Sequence, residues 1–427
     1  MLWRVKRHPM VIYLTLEGAL SFLMALYGTV TTVYRVQAAG LNPLQLTLVG
    51  TALEGSIFVL QIPTGALADV FSRRASVTLG VALTGAGFLL EGLIPRFGPI
   101  LLAQVLWGAG YTFINGAEEA WITDEVGVER ANRAFLRAQQ AGLLAGLIGV
   151  AGSVALASVR LNLPLEVAGV LSLALAGAVA LVMPESSRQR VANIERTVER
   201  TAHARLAELG GALRASWRLL RARPTIRLIL GVLIFLGLGC EGFDRLGDAH
   251  FLIDTGLPPL GPLQPVVWFG FLSASIMLLG LAATEVARQR VDTNSHRSVA
   301  RALLGMTAAI AAGIVVFGLA RGFALAAAAY VAVNVLRRVH GPLSIAWLNQ
   351  SAEPQIRATV LSLHGQADAL GQIACVPLIG AVGSAVSLPA ALVVSGLALT
   401  PALALFARAI RQPQAPAHEA ALAKESD

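Results

Sequence analysis

The sequence predicts an all-α membrane protein, with twelve transmembrane helices forming two pseudo-symmetric six-helix bundles. Three observations lead there. Hydrophobic residues make up 56% of the 427 and charged residues only 14%, with a mean hydropathy of +0.68, a composition suited to lipid rather than water. The apolar residues gather into twelve runs, each near the roughly 20 residues that a helix needs to cross hydrocarbon. Motifs of the first six runs also return, in order, among the last six.

Helices are expected near 10–37, 45–68, 75–94, 99–122, 132–158 and 164–183, then near 225–252, 264–286, 299–319, 323–348, 358–383 and 387–409. The first run is too long for the core of a cleavable signal and lacks a processing pattern, so it reads as a retained helix. Orientation follows from the cations. Arg4, Lys6, Arg7, Arg73, Arg74, Arg130, Arg133, the long central loop, Arg288, Arg290, Arg297, Arg301, Arg357, Arg408 and Arg411 share one side. The other side has little beyond Arg35, Arg96, Arg160 and Arg321. The expectation is a multi-pass protein of a bacterial-type inner membrane with both termini cytoplasmic. The net charge of +8 is then an orientation signal, and no nucleic-acid partner is expected. Cys240 and Cys375 lie in separate apolar runs without ligand spacing, so neither a disulfide nor a metal site is indicated.

Domain organisation follows from the one long polar stretch. Residues 1–184 are expected to form the N-terminal bundle, 185–224 a cytoplasmic linker, 225–411 the C-terminal bundle and 412–427 a disordered tail. In the linker Ile194, Val198, Leu206, Leu209, Leu213, Trp217 and Leu220 recur at helical spacing among arginines. This pattern suits a basic amphipathic helix on the inner leaflet, or a solvated linker helix. The repeat is seen in Gly40-Leu41-Asn42-Pro43 against Gly256-Leu257-Pro258-Pro259, in Asp69 against Glu285, and in Arg130-Ala131 with Gln139 against Arg357-Ala358 with Gln366.

The end of the second run reads GALADVFSRR, from Gly65 to Arg74. Gly65, Leu67, Ala68, Asp69, Arg73 and Arg74 resemble the loop signature of the major facilitator superfamily, with Ser72 where that family has Gly. The resemblance implies two halves rocking about a central cavity lined by the first and fourth helices of each half. It also implies a cytoplasmic latch at Asp69, with Arg73 and Arg74 adding contacts between the halves. The dipole of the eleventh helix, which starts near Arg357, would favour the Asp69 carboxylate, and Glu285 would play the lesser equivalent part near Ala131.

Ionisable residues inside a membrane are costly and should face a bundle interior or a watery cavity. Glu17, Ser21, Gly28, Thr31 or Thr32, and Arg35 form one polar stripe at helical steps; Gln104, Gly108, Tyr111, Asn115 and Glu118 form another. In the second half Glu241, Asp244, Arg245 and Asp248 share a face, and Asn334, Arg337, Arg338 and Gly341 repeat the arrangement. The third, sixth, ninth and twelfth helices are nearly uniformly apolar and suit the lipid-facing periphery. The candidate substrate cavity is Ser21, Tyr111, Asn115, Asp244, Arg245, Asp248, Asn334 and Arg338. Arg245 reads equally as a structural ion pair, with Glu241 four residues before or Asp248 three after. Arg337 and Arg338 point about 100° apart, so one of them at most faces the cavity squarely. Glu17 and Glu54, without a local cation, and Asp368 are the candidate proton carriers. Gly65, Asp69, Arg73, Arg74, Glu118 and Glu285 are the candidate gate residues.

The sequence has no His-Glu-x-x-His, no Gly-x-Ser-x-Gly elbow and no phosphate loop ending in Lys-Ser or Lys-Thr. Neither enzymatic activity nor a cofactor is expected, and active transport would draw on an ion gradient. Gln104 stands where drug antiporters of the family carry Arg, and the fifth helix lacks their Gly-Pro motif. The run from Arg357 to Ser362 resembles a segment of bacterial facilitator exporters. The expected function is proton-coupled export of small amphipathic compounds by a monomer in the bilayer. The rivals are proton-coupled import of a polar or zwitterionic metabolite, and a non-transporting receptor or scaffold of the same fold.

Overall fold

Each apolar run folds as a helix whose ends are set by the residues beside it. The computed structural model describes residues 8–70, 72–184, 224–261, 264–292, 295–351, 357–374 and 376–411. The linker through residue 223 and the 412–427 tail lie outside them. Helix α1 (Pro9–Gln37) opens on proline, which has no N–H to leave unpaired. Before α2 (Pro43–Val70), Asn42 Oδ1 accepts the Gln45 N–H at 2.9 Å and Gln45 Oε1 accepts the Asn42 N–H at 3.0 Å, a reciprocal cap. Ser72 Oγ accepts the Ala75 N–H at 3.0 Å and so caps α3 (Arg73–Leu93). The fourth span is broken: α4 (Phe97–Ile114) and α5 (Ala117–Val126) meet at Asn115 and Gly116, and Gly116 has a φ of 80°. Helices α6 (Val128–Ala157) and α7 (Leu163–Val182) complete the first half.

The second half begins with α8 (Pro224–His250), which runs into a π-helical turn at Phe251–Thr255. There follow α9 (Val267–Arg290), α10 (His296–Leu319) and α11 (Phe323–Ser351). The eleventh span is described as α12 (Arg357–Ala374) and α13 (Val376–Ala385), on either side of residue 375, and the twelfth is in two pieces, α14 (Leu388–Leu397) and α15 (Thr400–Arg411). Among the described residues eleven helices are long and apolar enough to cross a membrane. The remaining long helix is α11, whose 29 residues carry Asn334, Arg337, Arg338 and His340 and rise about 43 Å at 1.5 Å per residue. With it the chain reaches the twelve crossings expected. Boundaries fall within a few residues of expectation, but among the described residues three spans read as continuous, the fourth, seventh and twelfth, contain an interruption or a π turn.

The pseudo-symmetry is visible in the packing. In the first half α1 packs on α6, α3 on α4 and α7, and α2 on α4; the equivalent pairs of the second half are α8 on α12, α10 on α11 and α14, and α9 on α11. Gly40 and Gly256 occupy matching places after the first span of each half, with φ of 64° and 69°, a backbone conformation that residues with a side chain rarely adopt. The matching tetrapeptides of the sequence are thus matching turns. Below, the end bearing both chain termini is called proximal and the other distal.

The halves meet mainly through α2 against α8, α12 and α13, and through α6 against α9. The close approaches are distal. The Leu44 N–H donates to Ser384 Oγ at 2.9 Å, Gly383 lies on Pro43, and Gly380 receives the side chain of Thr47 so closely that a Cβ there would collide with its hydroxyl. Gly270 likewise faces Val154, and Gly146 faces Met277.

Candidate functional site

Helix α8 offers Glu241, Asp244, Arg245 and Asp248 at steps of three and four, so all four project toward α2 and α11. Arg245 donates from Nε to Glu241 Oε1 at 2.5 Å on its own helix. Its Nη2 lies 3.8 Å from Glu54 Oε1 on α2. Glu54, which has no cation near it in sequence, therefore finds one in the other half of the molecule. Arg337 grips both oxygens of Asp244, at 2.5 and 2.7 Å, the two-pronged geometry that a planar guanidinium favours. The 100° between neighbours on a helix then turns Arg338 away, toward Gly280 of α9.

Arg338 instead lines a cavity of about 300 Å³ between the halves. Its wall also carries Asp248, Tyr330 and Asn334 from the second half and Thr29 from α1, with Met24, Phe269 and Met277 as apolar surface. The Tyr330 hydroxyl donates to Asp248 Oδ1 at 3.1 Å, and Thr32 of α1 lies beside the same carboxylate. Of the eight residues expected to form the cavity, Asp248, Asn334 and Arg338 line it, while Asp244 and Arg245 belong to the ion pairs beside it. Ser21, Tyr111 and Asn115 stand apart. Ser21 packs against Gly142 of α6, and Tyr111 and Asn115 are exposed further along the fourth span.

The first half holds a cluster that the sequence pattern misassigns. Glu91, expected on the lipid-facing periphery, is 0% exposed. Arg35 Nε donates to its Oε1 at 2.7 Å, Tyr27 to its Oε2 at 2.7 Å, and Gln104 Nε2 to the same oxygen at 2.7 Å. The Tyr34 hydroxyl adds a bond to the Glu91 backbone carbonyl at 2.6 Å. The polar stripes place Arg35 and Gln104 toward the cavity. Both turn instead into the α1–α3–α4 packing, because a buried carboxylate needs its lone pairs occupied. The signal that could have found this was Glu91 itself, one charge in an otherwise apolar run.

The proton-carrier candidates separate. Glu17 forms no ion pair among the described residues and lies within hydrogen-bonding reach of Glu118. Glu54 is ion-paired as above. Asp368 accepts from Gln372 Nε2 at 2.8 Å on its own helix and packs against Gly237 of α8. Of the gate candidates, Gly65 and Asp69 lie in the last turns of α2, and the side chain of Asp69, like that of Arg357, lies outside the described set. Arg73 Nε stands 3.0 Å from Asp124 Oδ2, tying α3 to α5 within the first half. Glu285 pairs with Arg288 at 2.6 Å along α9 rather than reaching the fifth span. Among the buried histidines, His250 lies 2.8 Å from Asp254 and 3.1 Å from the Phe317 carbonyl, and His340 lies 3.2 Å from the Thr307 hydroxyl. These contacts join helices of the second half.

The sequence and the fold both have known counterparts. The family profile described as Major Facilitator Superfamily matches residues 14–367. The MFS-type transporter YxaM of Bacillus subtilis (strain 168) is 20% identical over 401 residues, 93% of this chain and 95% of that protein. Among solved structures, the nucleoside transporter NupG superposes with a TM-score of 0.74 at 11% identity, over 95% of this chain and all of the other. A bacterial homolog of the human lysosomal transporter Spinster, inward-facing and unoccupied, gives 0.69 at 16% identity over 96% and 98%. The peptide transporter POT in complex with sulfate gives 0.68 at 16% identity over 94% of each chain. A profile that spans most of the chain, a full-length relative and a shared architecture agree with the polar interior built above, and the chain belongs to the major facilitator superfamily.

Proposed function

We propose that this transporter moves a small molecule by alternating access, coupled to protons, with the interface cavity as its cargo site. The observation that carries the reading is the placing of Arg338, Asp248 and Asn334 on one wall of a cavity that both halves enclose. A charged wall inside lipid is costly unless it is used. Proton coupling is assigned to two places. Glu54 and Arg245 form an ion pair across the two halves that rocking must break, and protonation of Glu54 would release it. Glu17 and Glu118 are two carboxyl groups close enough to share one proton. With the close approaches gathered at the distal end, and the cation-rich proximal end taken as cytoplasmic, the conformation corresponds to a cytoplasm-facing state.

Export of amphipathic compounds is the direction and cargo favoured by the Arg357-to-Ser362 segment and by the apolar part of the wall. Uptake of a polar or zwitterionic metabolite is the second reading, favoured by the charges at Arg338 and Asp248. Flux in proteoliposomes, with and without an imposed pH gradient, decides between them. Movement of cargo opposite to the protons supports export, movement with them supports uptake, and flux indifferent to the gradient would remove proton coupling.

A further inference from the structure

The charges at the interface divide into those already neutralised and those that are not. Arg245 has Glu241 and Glu54; Arg337 has Asp244. Among the described residues neither Arg338 nor Asp248 forms an ion pair; the Asp248 carboxylate accepts from the Tyr330 hydroxyl at 3.1 Å and lies beside the Thr32 hydroxyl. These two uncompensated charges lie on the wall of the same cavity of about 300 Å³, and they do not pair with each other. Hydroxyls satisfy hydrogen bonds but not net charge, so each group is left needing a counter-ion that the protein does not supply. The two also sit at different depths. Tyr330, whose hydroxyl reaches Asp248, precedes Arg338 by eight residues on α11, a rise of about 12 Å at 1.5 Å per residue.

We propose that the cavity is a site for a zwitterion whose opposite charges stand several ångströms apart across an apolar middle. Arg338 takes the anionic group, for which its guanidinium offers a planar pair of donors. Asp248 takes the cationic group, with Tyr330 and Thr32 fixing the carboxylate in place. Met24 and Met277, unbranched and adaptable, face the apolar middle. The inference rests on the cavity being the cargo site but specifies its chemistry, and binding can be measured without flux.

The test is thermal unfolding and calorimetric titration of the full chain in detergent, with ω-amino acids from 4-aminobutanoate to 8-aminooctanoate as probes. Hexanoate and hexylamine are the single-charge controls. A member of the zwitterion series is expected to stabilise the protein at concentrations where neither control does, with a preferred length. Arg338→Gln and Asp248→Asn are each expected to weaken that binding about tenfold or more, as loss of one charge-assisted bond implies. Should either variant fold poorly, Arg338→Lys, which keeps charge and loses the fork, is expected to bind at intermediate strength. Equal response to all probes, response to none, or wild-type affinity in the variants would overturn the proposal. Zwitterion binding without flux in proteoliposomes would instead sink the transport reading and leave this one standing. Flux of another cargo without zwitterion binding would do the reverse.

Discussion

Arg35 donates to one oxygen of Glu91 at 2.7 Å and to the other at 3.2 Å, and Tyr27 and Gln104 complete the shell. With Glu91 fully buried and Arg35 at 5% exposure, removal of one charge leaves the other stranded. Glu91→Gln is expected to destabilise the protein by about 3–5 kcal/mol, read as a lowered midpoint in denaturant titration in detergent. Glu54→Gln should behave in the opposite way. Arg245 keeps Glu241 at 2.5 Å, so the fold should survive, while flux becomes insensitive to an imposed pH gradient; unchanged gradient dependence would relocate coupling to Glu17 and Glu118. At this scale the sequence was partly legible. The 100° step between Arg337 and Arg338 predicted that one would turn from the cavity, and it does. The partner of Glu54 was not legible, because it lies in the other half of the chain, and no periodicity encodes which face of one bundle meets which face of another.

Helical periodicity and apolar length placed every span within a few residues, since backbone groups in lipid can be satisfied only within a helix or a closed barrel. The interruptions were harder to read. At the Asn115–Gly116 break Asn115 is extended and Gly116 takes a φ of 80°, so the stripe from Gln104 to Glu118 cannot continue on one face. Gln104 points into the bundle, and Glu118 belongs to a new helix near Glu17. Gly116→Ala is expected to cost about 1–2 kcal/mol, the penalty of a left-handed conformation for a residue with a Cβ, measurable as a lower unfolding temperature. Ser72 carries a second lesson at the element scale. It departs from the family's Gly and yet caps α3 with its side chain, so the helix start is kept by different chemistry.

Across the whole molecule the repeat was the most readable feature. The tetrapeptide echo became two left-handed glycine turns, and four helix pairings recur in each half. What the repeat could not foretell is how the halves lean. That depends on contacts such as Thr47 seated against Gly380, where only a missing side chain allows the approach. Gly380→Val is expected to hold α2 and α13 apart, shift the population away from the distally closed conformation and slow turnover, as read by spin-label distances across that end and by flux. An unaltered distance distribution would show that α2 and α13 do not set the closure.

The distal contacts between the halves, a hydroxyl beside a glycine, a proline beside another glycine and a serine accepting a backbone N–H, carry no net charge. Parting them strands no ion, so no electrostatic toll is levied at that end of the molecule, and mobile ions there have little to screen. Separation of the halves at the distal end should accordingly be indifferent to the ionic strength of the solution that bathes it.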